Sequence, residues 1–267
     1  MMAIVKNQIQ YILDFFKEKN YKIILSLIIL LGLILRIILA IKISGMNNDS
    51  IGYMMMANYL YSGQIADAVA IRPMYPMLYP LLLCSAKMIG LDIERFGIFL
   101  SIVTSTAAIY LVWLISRKIT NNIIVSLIGA SFVAVHPQFI YSSIEVLRDS
   151  PGLFFGLLTI YLILTAIEKP SYACWILAGF ILSIACLLRL EYLAILLLVP
   201  CWAFFSFIFY NGERKIIFFR HIPGFLVLLL IFFVIFIMFQ NLFIEYGSSF
   251  YVLNTSKLLS NFLGVNI

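Results

Sequence analysis

The chain has 267 residues, of which 64% are hydrophobic and 11% are charged, and its mean hydropathy is +1.08. That composition excludes a soluble domain of this length, because polar groups could not cover its surface, so most of the chain must face lipid. The apolar runs are long and continuous, which favours membrane helices over an outer-membrane barrel. The net charge of +6 is spread over loops without a basic stripe, so nucleic-acid binding is not supported.

The first membrane span is predicted over Ile23 to Ile41. Residues 1–20 carry Asp14 and Glu18 as well as lysines, and the run that follows is too long for a cleaved signal peptide. We therefore expect this part of the chain to stay as an anchor. Arg36 lies inside the span, where a charge needs an internal partner or a route to the interface, and it indicates either a hydrated cleft or snorkelling to the headgroups.

A large first external loop, residues 44–95, is predicted after this span, with interfacial helices along it. The segment Met74 to Gly90 is apolar, but it is short, contains Pro76 and Pro80, and carries Lys87. These features fit a re-entrant or interfacial helix better than a span of about 20 residues. We predict that it does not cross the membrane.

The positive-inside rule orients the remaining chain. Basic clusters precede the first span, follow the span that begins at Phe96 and lie in the turn after Tyr210, and all are predicted to be cytoplasmic. The result is an all-α, polytopic membrane protein with about seven spans in one domain, residues 1–267. The six further predicted spans are Phe96 to Ser116, Ile123 to Tyr141, Gly152 to Ile167, Ala173 to Leu188, Tyr192 to Tyr210 and Ile222 to Ile244.

Three carboxylates beside predicted spans are candidate site residues, because such groups are rare in so apolar a chain. Asp49 precedes an apolar run and is a candidate base, although capping the helix that starts near Ile51 is an alternative role. Asp149 is a second candidate, with capping before Pro151 as the alternative. Glu145, four residues earlier, either shares a divalent cation with Asp149 or is a surface glutamate.

Arg72, Arg148 and Arg189 are candidate phosphate ligands, since a guanidinium binds phosphate oxygens in a bidentate manner. Each has an alternative. Arg72 marks the headgroup boundary if it snorkels, and Arg148 is at helical spacing to pair with Glu145. Arg189 is placed for an interfacial anchor or for a local ion pair with Glu191.

Taken in order, several short motifs resemble one family. They are Asp49 with Tyr53, the Arg/Tyr/Pro-rich stretch from Arg72 to Pro80 that includes Tyr75, the run His136-Pro137-Gln138-Phe139, the run Arg148-Asp149-Ser150-Pro151, and Leu188-Arg189-Leu190-Glu191. This ordered set, over about residues 30–205, resembles the GT-C glycosyltransferases that use lipid-linked sugars, especially the bacterial family 39 and protein-mannosyltransferase-like branch.

The resemblance implies sugar transfer from a polyprenyl-phosphate donor to a glycan, lipid or protein acceptor. It implies a site on the external face of a bacterial or archaeal cell membrane, in contact with membrane lipid, with the first-loop acid Asp49 as the base. The chemistry agrees, because an attacking hydroxyl needs a proton acceptor and a departing phosphate needs fixed positive charge. Two rival functions are a transporter or flippase of lipid-linked sugars and a non-catalytic membrane subunit.

The cysteines lie in apolar runs without metal-binding spacing and are interpreted as packing residues: Cys84, Cys174, Cys186 and Cys201.

Overall fold

A computed structural model describes residues 20–42, 46–73, 75–169, 171–198, 200–201, 205 and 213–244. Secondary structure in this part of the chain is helical, which confirms the all-α prediction. The α-helices are α1 Tyr21–Lys42, α2 Asn48–Tyr61, α3 Ile65–Ile71, α4 Leu78–Met88, α5 Ile93–Thr120, α6 Ile123–Val135, α7 Pro137–Ser142, α8 Asp149–Glu168, α9 Tyr172–Leu188 and α10 Glu213–Ile244. A short 3₁₀ helix, Leu190–Ala194, follows α9.

The helices pack side by side in an order that differs from their order in the chain. α1 packs on α6 and α5, α5 packs on α8, α8 packs on α9, and α9 packs on α10. The α2–α4 segment lies beside the start of α5 and also contacts α9. Large side chains such as Tyr53, Met56, Tyr79 and Leu83 are buried where this segment packs. The first loop is therefore a packed part of the bundle.

Contacts between the helices define two ends of the bundle. At one end, which we call the Lys118 end, Lys118 pairs with Glu168 at the end of α8. At the other, the Asp149 end, Arg189 after α9 pairs with Asp149 at the start of α8. Helices α5 and α8 therefore run in the same direction, and α9 runs back.

Helix α10 runs parallel to α9. A Cβ on Gly224 would overlap Trp175 near the start of α9, and Ser183 Oγ donates to the Phe232 carbonyl 3.4 Å away further along both helices. The start of α10 therefore lies toward the Lys118 end of the bundle, as the start of α9 does. Of the span predicted over Tyr192 to Tyr210, residues 199, 202–204 and 206–210 lie outside the described residues.

By length and hydropathy, four stretches of the described chain suffice to cross a membrane: Tyr21–Lys42, Ile93–Thr120, Asp149–Glu168 and His221–Phe239. Helices α4, α6 and α9 are apolar but shorter. The structure thus confirms a helical membrane protein, whereas the predicted number of seven spans stays a prediction. Helix α4 has 11 residues and is about 16 Å long, roughly half the hydrocarbon thickness. Its length agrees with the prediction that this segment does not cross.

Two predicted span boundaries were wrong, and prolines lie at both. Helix α6 ends at Val135 rather than at Tyr141, because Pro137 has no N–H to continue the hydrogen-bond ladder. Helix α8 begins at Asp149, three residues before the predicted start, since a proline fits within the first turn of a helix.

The predictions for Arg36 were right about an internal partner and wrong about its surroundings. Arg36 is fully buried and donates hydrogen bonds to groups on α5 and α6 as well as to Gly32 in its own helix. It therefore neither snorkels to the headgroups nor lines a hydrated cleft, and the internal partner that its charge required is present.

Candidate active site

Four segments of the chain meet at the Asp149 end. They are the start of α2, the turn after α3, the segment 143–148 with the start of α8, and the 3₁₀ turn after α9. Together these segments bring every candidate site residue into one cluster, although they are far apart in the sequence. The charged members are Asp49, Arg72, Glu145, Arg148, Asp149, Arg189 and Glu191.

The carboxylate of Asp49 lies in the first turn of α2 but does not cap that helix. Asn47 is the N-cap, and its Oδ1 accepts a hydrogen bond from the Ser50 N–H at 2.7 Å. The capping alternative for Asp49 was therefore wrong. The Asp49 side chain is 47% exposed. An accessible carboxylate can accept a proton from a bound ligand.

Two neighbours hold the Asp49 carboxylate from the turn after α3. Arg72 Nη2 lies 3.1 Å from Asp49 Oδ1, and the hydroxyl of Tyr75 donates to the same oxygen at 3.3 Å. The turn is closed by a hydrogen bond from the Tyr75 N–H to the Arg72 carbonyl. Arg72 therefore pairs with the candidate base.

The guanidinium of Arg148 lies against two tyrosine rings. Its Cζ atom is 4.7 Å from the centre of the Tyr75 ring and 6.0 Å from that of Tyr53. Its Nη1 atom is buried and has no hydrogen-bond partner among the described residues. The predicted pairing with Glu145 at helical spacing was wrong, because the segment 143–148 is not helical. Arg148 thus brings to the cluster a half-buried cation with a buried donor still to be satisfied.

Glu145 is buried, which excludes the surface-glutamate alternative. Asn47 Nδ2 donates to its Oε2 at 3.0 Å, so one residue both caps α2 and ties Glu145 to that helix. Burial raises the pKa of the Glu145 carboxyl, and the nearby charge of Asp49 acts in the same direction, while a hydrogen bond from Tyr141 opposes both. Ser101 Oγ on α5 donates to the Glu145 carbonyl at 2.9 Å and fixes the backbone there.

Arg189 connects the end of helix α9 to the start of helix α8 through ion pairs. It pairs with Asp149, and its Nη2 lies 2.9 Å from Oε1 of Glu191. Asp149 occupies the first position of α8, and this ion pair gives it a role other than capping. The hydrogen bond with Arg189 lowers the pKa of Glu191 despite partial burial. The local ion pair predicted as an alternative for Arg189 is therefore present.

Glycines on α8 allow the 3₁₀ turn to approach that helix closely. A Cβ on Gly156 would overlap the ring of Tyr192, and one on Gly152 would lie 3.1 Å from it. Tyr192 therefore lies flat against the first turns of α8. This contact places Arg189 beside Asp149.

The predicted divalent-cation site has no support from neighbouring ligands. Glu145 already accepts a bond from Asn47, and Asp149 pairs with Arg189. Within the described ranges, no group of three or more His, Cys, Asp or Glu side chains could hold a metal ion. A cation shared by Glu145 and Asp149 stays a prediction.

Sequence reasoning missed Asn47 and Ser101. Asn47 could have been predicted as the N-cap, because asparagine is favoured at that position and an apolar run follows it. The bond from Ser101 to the Glu145 carbonyl had no signal in the sequence, because it joins positions 44 residues apart.

The cluster combines an accessible carboxylate with three arginines beside tyrosine rings. A carboxylate can take a proton from a hydroxyl group, and guanidinium groups stabilise the negative charge of a departing phosphate. The centre of the Tyr53 ring lies 5.5 Å from that of Tyr75 and 5.1 Å from that of Tyr79. Tyr53 and Tyr79 are buried, whereas Tyr75 is half-buried and lies beside these charges.

Residues 73–239 match the sequence model of a family described as dolichyl-phosphate-mannose-protein mannosyltransferase. No curated protein matches the chain. The matched part is more than half of the chain and confirms the resemblance to GT-C glycosyltransferases. It includes Tyr75, Glu145, Arg148, Asp149 and Arg189, whereas the segment that contains Asp49 and Arg72 precedes it.

Proposed function

The chain belongs to the dolichyl-phosphate-mannose-protein mannosyltransferase family, and on that premise we propose that it transfers a sugar from a polyprenyl-phosphate donor to an acceptor. Family membership indicates a membrane glycosyltransferase of the GT-C type. The donor, the acceptor, the face of the membrane and the residues that react are the proposed part. Asp149, Arg72 and Arg189 organise the site, Asp49 accepts the proton, and Arg148 binds the donor phosphate.

In the proposed reaction, a hydroxyl oxygen of the acceptor attacks the anomeric carbon of the donor sugar. The new oxygen–carbon bond forms as the bond between that carbon and the phosphate oxygen breaks. The hydroxyl proton passes to the carboxylate of Asp49, and polyprenyl phosphate leaves with the electron pair of the broken bond. A general base typically contributes about 10²- to 10⁴-fold to such a step.

The observation that carries the proposal is the arrangement of Asp49, Tyr75 and Arg148. Tyr75 donates its hydroxyl to Asp49 and presents its ring to Arg148. The proton acceptor and a cation therefore both contact one tyrosine. A sugar phosphate bound there would have its anomeric carbon near the base and its phosphate near the guanidinium, as the transfer requires.

Among the three arginines, Arg148 is best suited to bind the phosphate. Arg72 is paired with Asp49, and Arg189 is paired with two carboxylates. Arg148 has a buried Nη1 that lacks a partner in the described part of the chain. A buried, unsatisfied donor is unfavourable, and a phosphate oxygen would satisfy it with a charge-assisted hydrogen bond.

We place the reaction on the non-cytoplasmic face. The cluster lies at the Asp149 end, while Arg117 and Lys118 lie in the last turn of α5 at the opposite end. The positive-inside rule assigns that basic end to the cytoplasm. Sugar would then be delivered to a glycan, lipid or protein acceptor outside the cell, from a donor whose polyprenyl chain stays in the membrane.

Purified protein in lipid vesicles tests the proposal. Hexosyl and pentosyl polyprenyl phosphates would be supplied with a membrane extract as the acceptor source, and both lipid products and glycosylated products would be measured by mass spectrometry. We expect free polyprenyl phosphate to appear together with an equal amount of transferred sugar. Movement of intact donor across the vesicle membrane without cleavage would instead support the transporter, and an unchanged donor pool would contradict both.

A further inference from the structure

We propose that Arg36 is a positioning residue. From helix α1 it donates hydrogen bonds to the last carbonyls of helix α6, and it thereby holds the segment that contains Glu145 and Arg148. Arg36 lies in α1, away from the charged cluster, and the proposed reaction does not use it. Its guanidinium is nevertheless fully buried. An arginine in this position within a membrane bundle needs a defined set of acceptors.

Those acceptors are uncharged. Arg36 Nε donates to Ser105 Oγ at 2.9 Å, and Nη1 donates to the Gly32 carbonyl at 2.9 Å and the Ala134 carbonyl at 3.2 Å. Nη2 donates to the Val133 carbonyl at 3.2 Å. Arg36 therefore does not serve to neutralise a carboxylate in the described part of the bundle; its hydrogen bonds satisfy backbone oxygens.

The two α6 carbonyls are those that the break at Pro137 leaves without a helical donor. The fourth residue after Val133 is Pro137, which has no N–H. The fourth residue after Ala134 is Gln138, whose N–H bonds to His136 Nδ1 at 3.2 Å instead. An unsatisfied carbonyl is unfavourable inside an apolar bundle. Arg36 supplies one hydrogen bond to each of them.

The chain beyond the break is held by further hydrogen bonds, the first of which involves Ser105, an acceptor of Arg36. Ser105, which accepts from Arg36, donates to the Phe139 carbonyl at 3.4 Å. Ser150 Oγ then donates to the Ser142 carbonyl at 3.3 Å, and Ser101 holds the Glu145 carbonyl. These bonds continue from the break at Pro137 to the start of α8. Losing the first of them would allow the segment with Arg148 to shift.

A double-mutant cycle on thermal stability tests the first part of this inference and does not depend on the proposed function. Arg36→Met should lower the melting temperature of the detergent-purified protein. In a Pro137→Ala background the drop should be smaller, because the new N–H can donate to the Val133 carbonyl. Lys42→Met, at the end of the same helix, is the matched control and should change little. Equal drops in both backgrounds would overturn the role in helix termination.

The cycle has an alternative form if Arg36→Met yields no folded protein. Arg36→Lys keeps the charge but loses the fork that reaches several acceptors at once, so it should lower the melting temperature by a smaller amount. Its drop should again shrink in the Pro137→Ala background. An equal drop there would overturn the inference in the same way.

A kinetic cycle tests the effect on the site and rests on the proposed function. Misplacing a group that binds the donor by about 1 Å can cost on the order of 10²-fold, so Arg36→Met or Arg36→Lys should weaken donor use by up to that factor. With Arg148→Met already present, the same change at Arg36 should have little further effect. Independent, multiplicative losses would overturn the positioning role. If the wild-type protein shows no transfer, the proposed function fails, and the stability cycle still decides the structural role.

Discussion

Replacing Arg148 should abolish most donor binding while leaving the fold intact. Arg148 Nη1 has no partner among the described residues, so Arg148→Met removes an unsatisfied buried donor rather than a bond. The lost contacts with the Tyr75 and Tyr53 rings are worth about 0.5–2 kcal/mol. Relief of the unsatisfied donor, about 1–3 kcal/mol, opposes that loss. We therefore expect the melting temperature to change by only a few degrees.

The effect on the donor should be much larger. A hydrogen bond to a charged group contributes about 1.5–3 kcal/mol, which corresponds to about 10- to 150-fold in affinity. Arg148→Lys keeps the charge but not the two-pronged geometry, and it should recover part of this loss. Donor affinity would be measured by titrating a polyprenyl-phosphate sugar, and stability by thermal unfolding in the same detergent.

Arg95→Met is a matched control, since this exposed arginine lies in the first helical turn of α5. It should change neither donor affinity nor stability. Two results would refute the reasoning about Arg148. One is wild-type donor affinity in both Arg148 variants, which would mean that the phosphate is held elsewhere. The other is a large loss of stability in Arg148→Met, which would make Arg148 a structural residue.

Two further predictions concern neighbouring residues. Arg189→Met should lower the melting temperature slightly in thermal unfolding, because it leaves the partly exposed Asp149 and the exposed Glu191 without their cation; an unchanged melting temperature would show that these pairs do not contribute. The raised pKa of Glu145 means that the folded protein binds its proton more tightly than the unfolded chain does. The stability that this proton confers is present below the ordinary pKa of 4.5 and is lost as pH rises through the folded value. Unfolding of Glu145→Gln and wild type across this pH range should therefore show the wild type losing stability relative to the variant, and parallel curves would contradict the burial of an ionisable Glu145.

Much of the fold could be predicted because long apolar runs in a chain this hydrophobic leave helices as the main solution. Asp49, Arg148 and Arg189, which the order of the motifs singled out, also meet at one end of the bundle; their roles stay a prediction. Helix ends were less predictable. The apolar run after Ile123 continues past Pro137, and hydropathy alone does not show that the helix stops before it.

The pairing of charges could not be read from spacing. Arg148 and Glu145 have helical spacing, but the segment between them is not helical. The partner of Arg72 is Asp49, which depends on how the α2–α4 segment folds back on itself. The four acceptors of Arg36 come from three helices, and only the packing of α1 against α5 and α6 brings them together.

The transfer rate of Asp49→Asn tests the central claim most directly. Asn47 remains the cap of α2, and asparagine retains most of the shape of Asp49 but cannot take a proton. We predict a loss of about 10²- to 10⁴-fold in the rate of sugar transfer from a polyprenyl-phosphate donor, with the melting temperature close to that of wild type. Asp67→Asn, which changes an exposed acid in the first turn of α3, should retain the parental rate. An Asp49→Asn protein that transfers sugar as fast as the wild type would contradict the account.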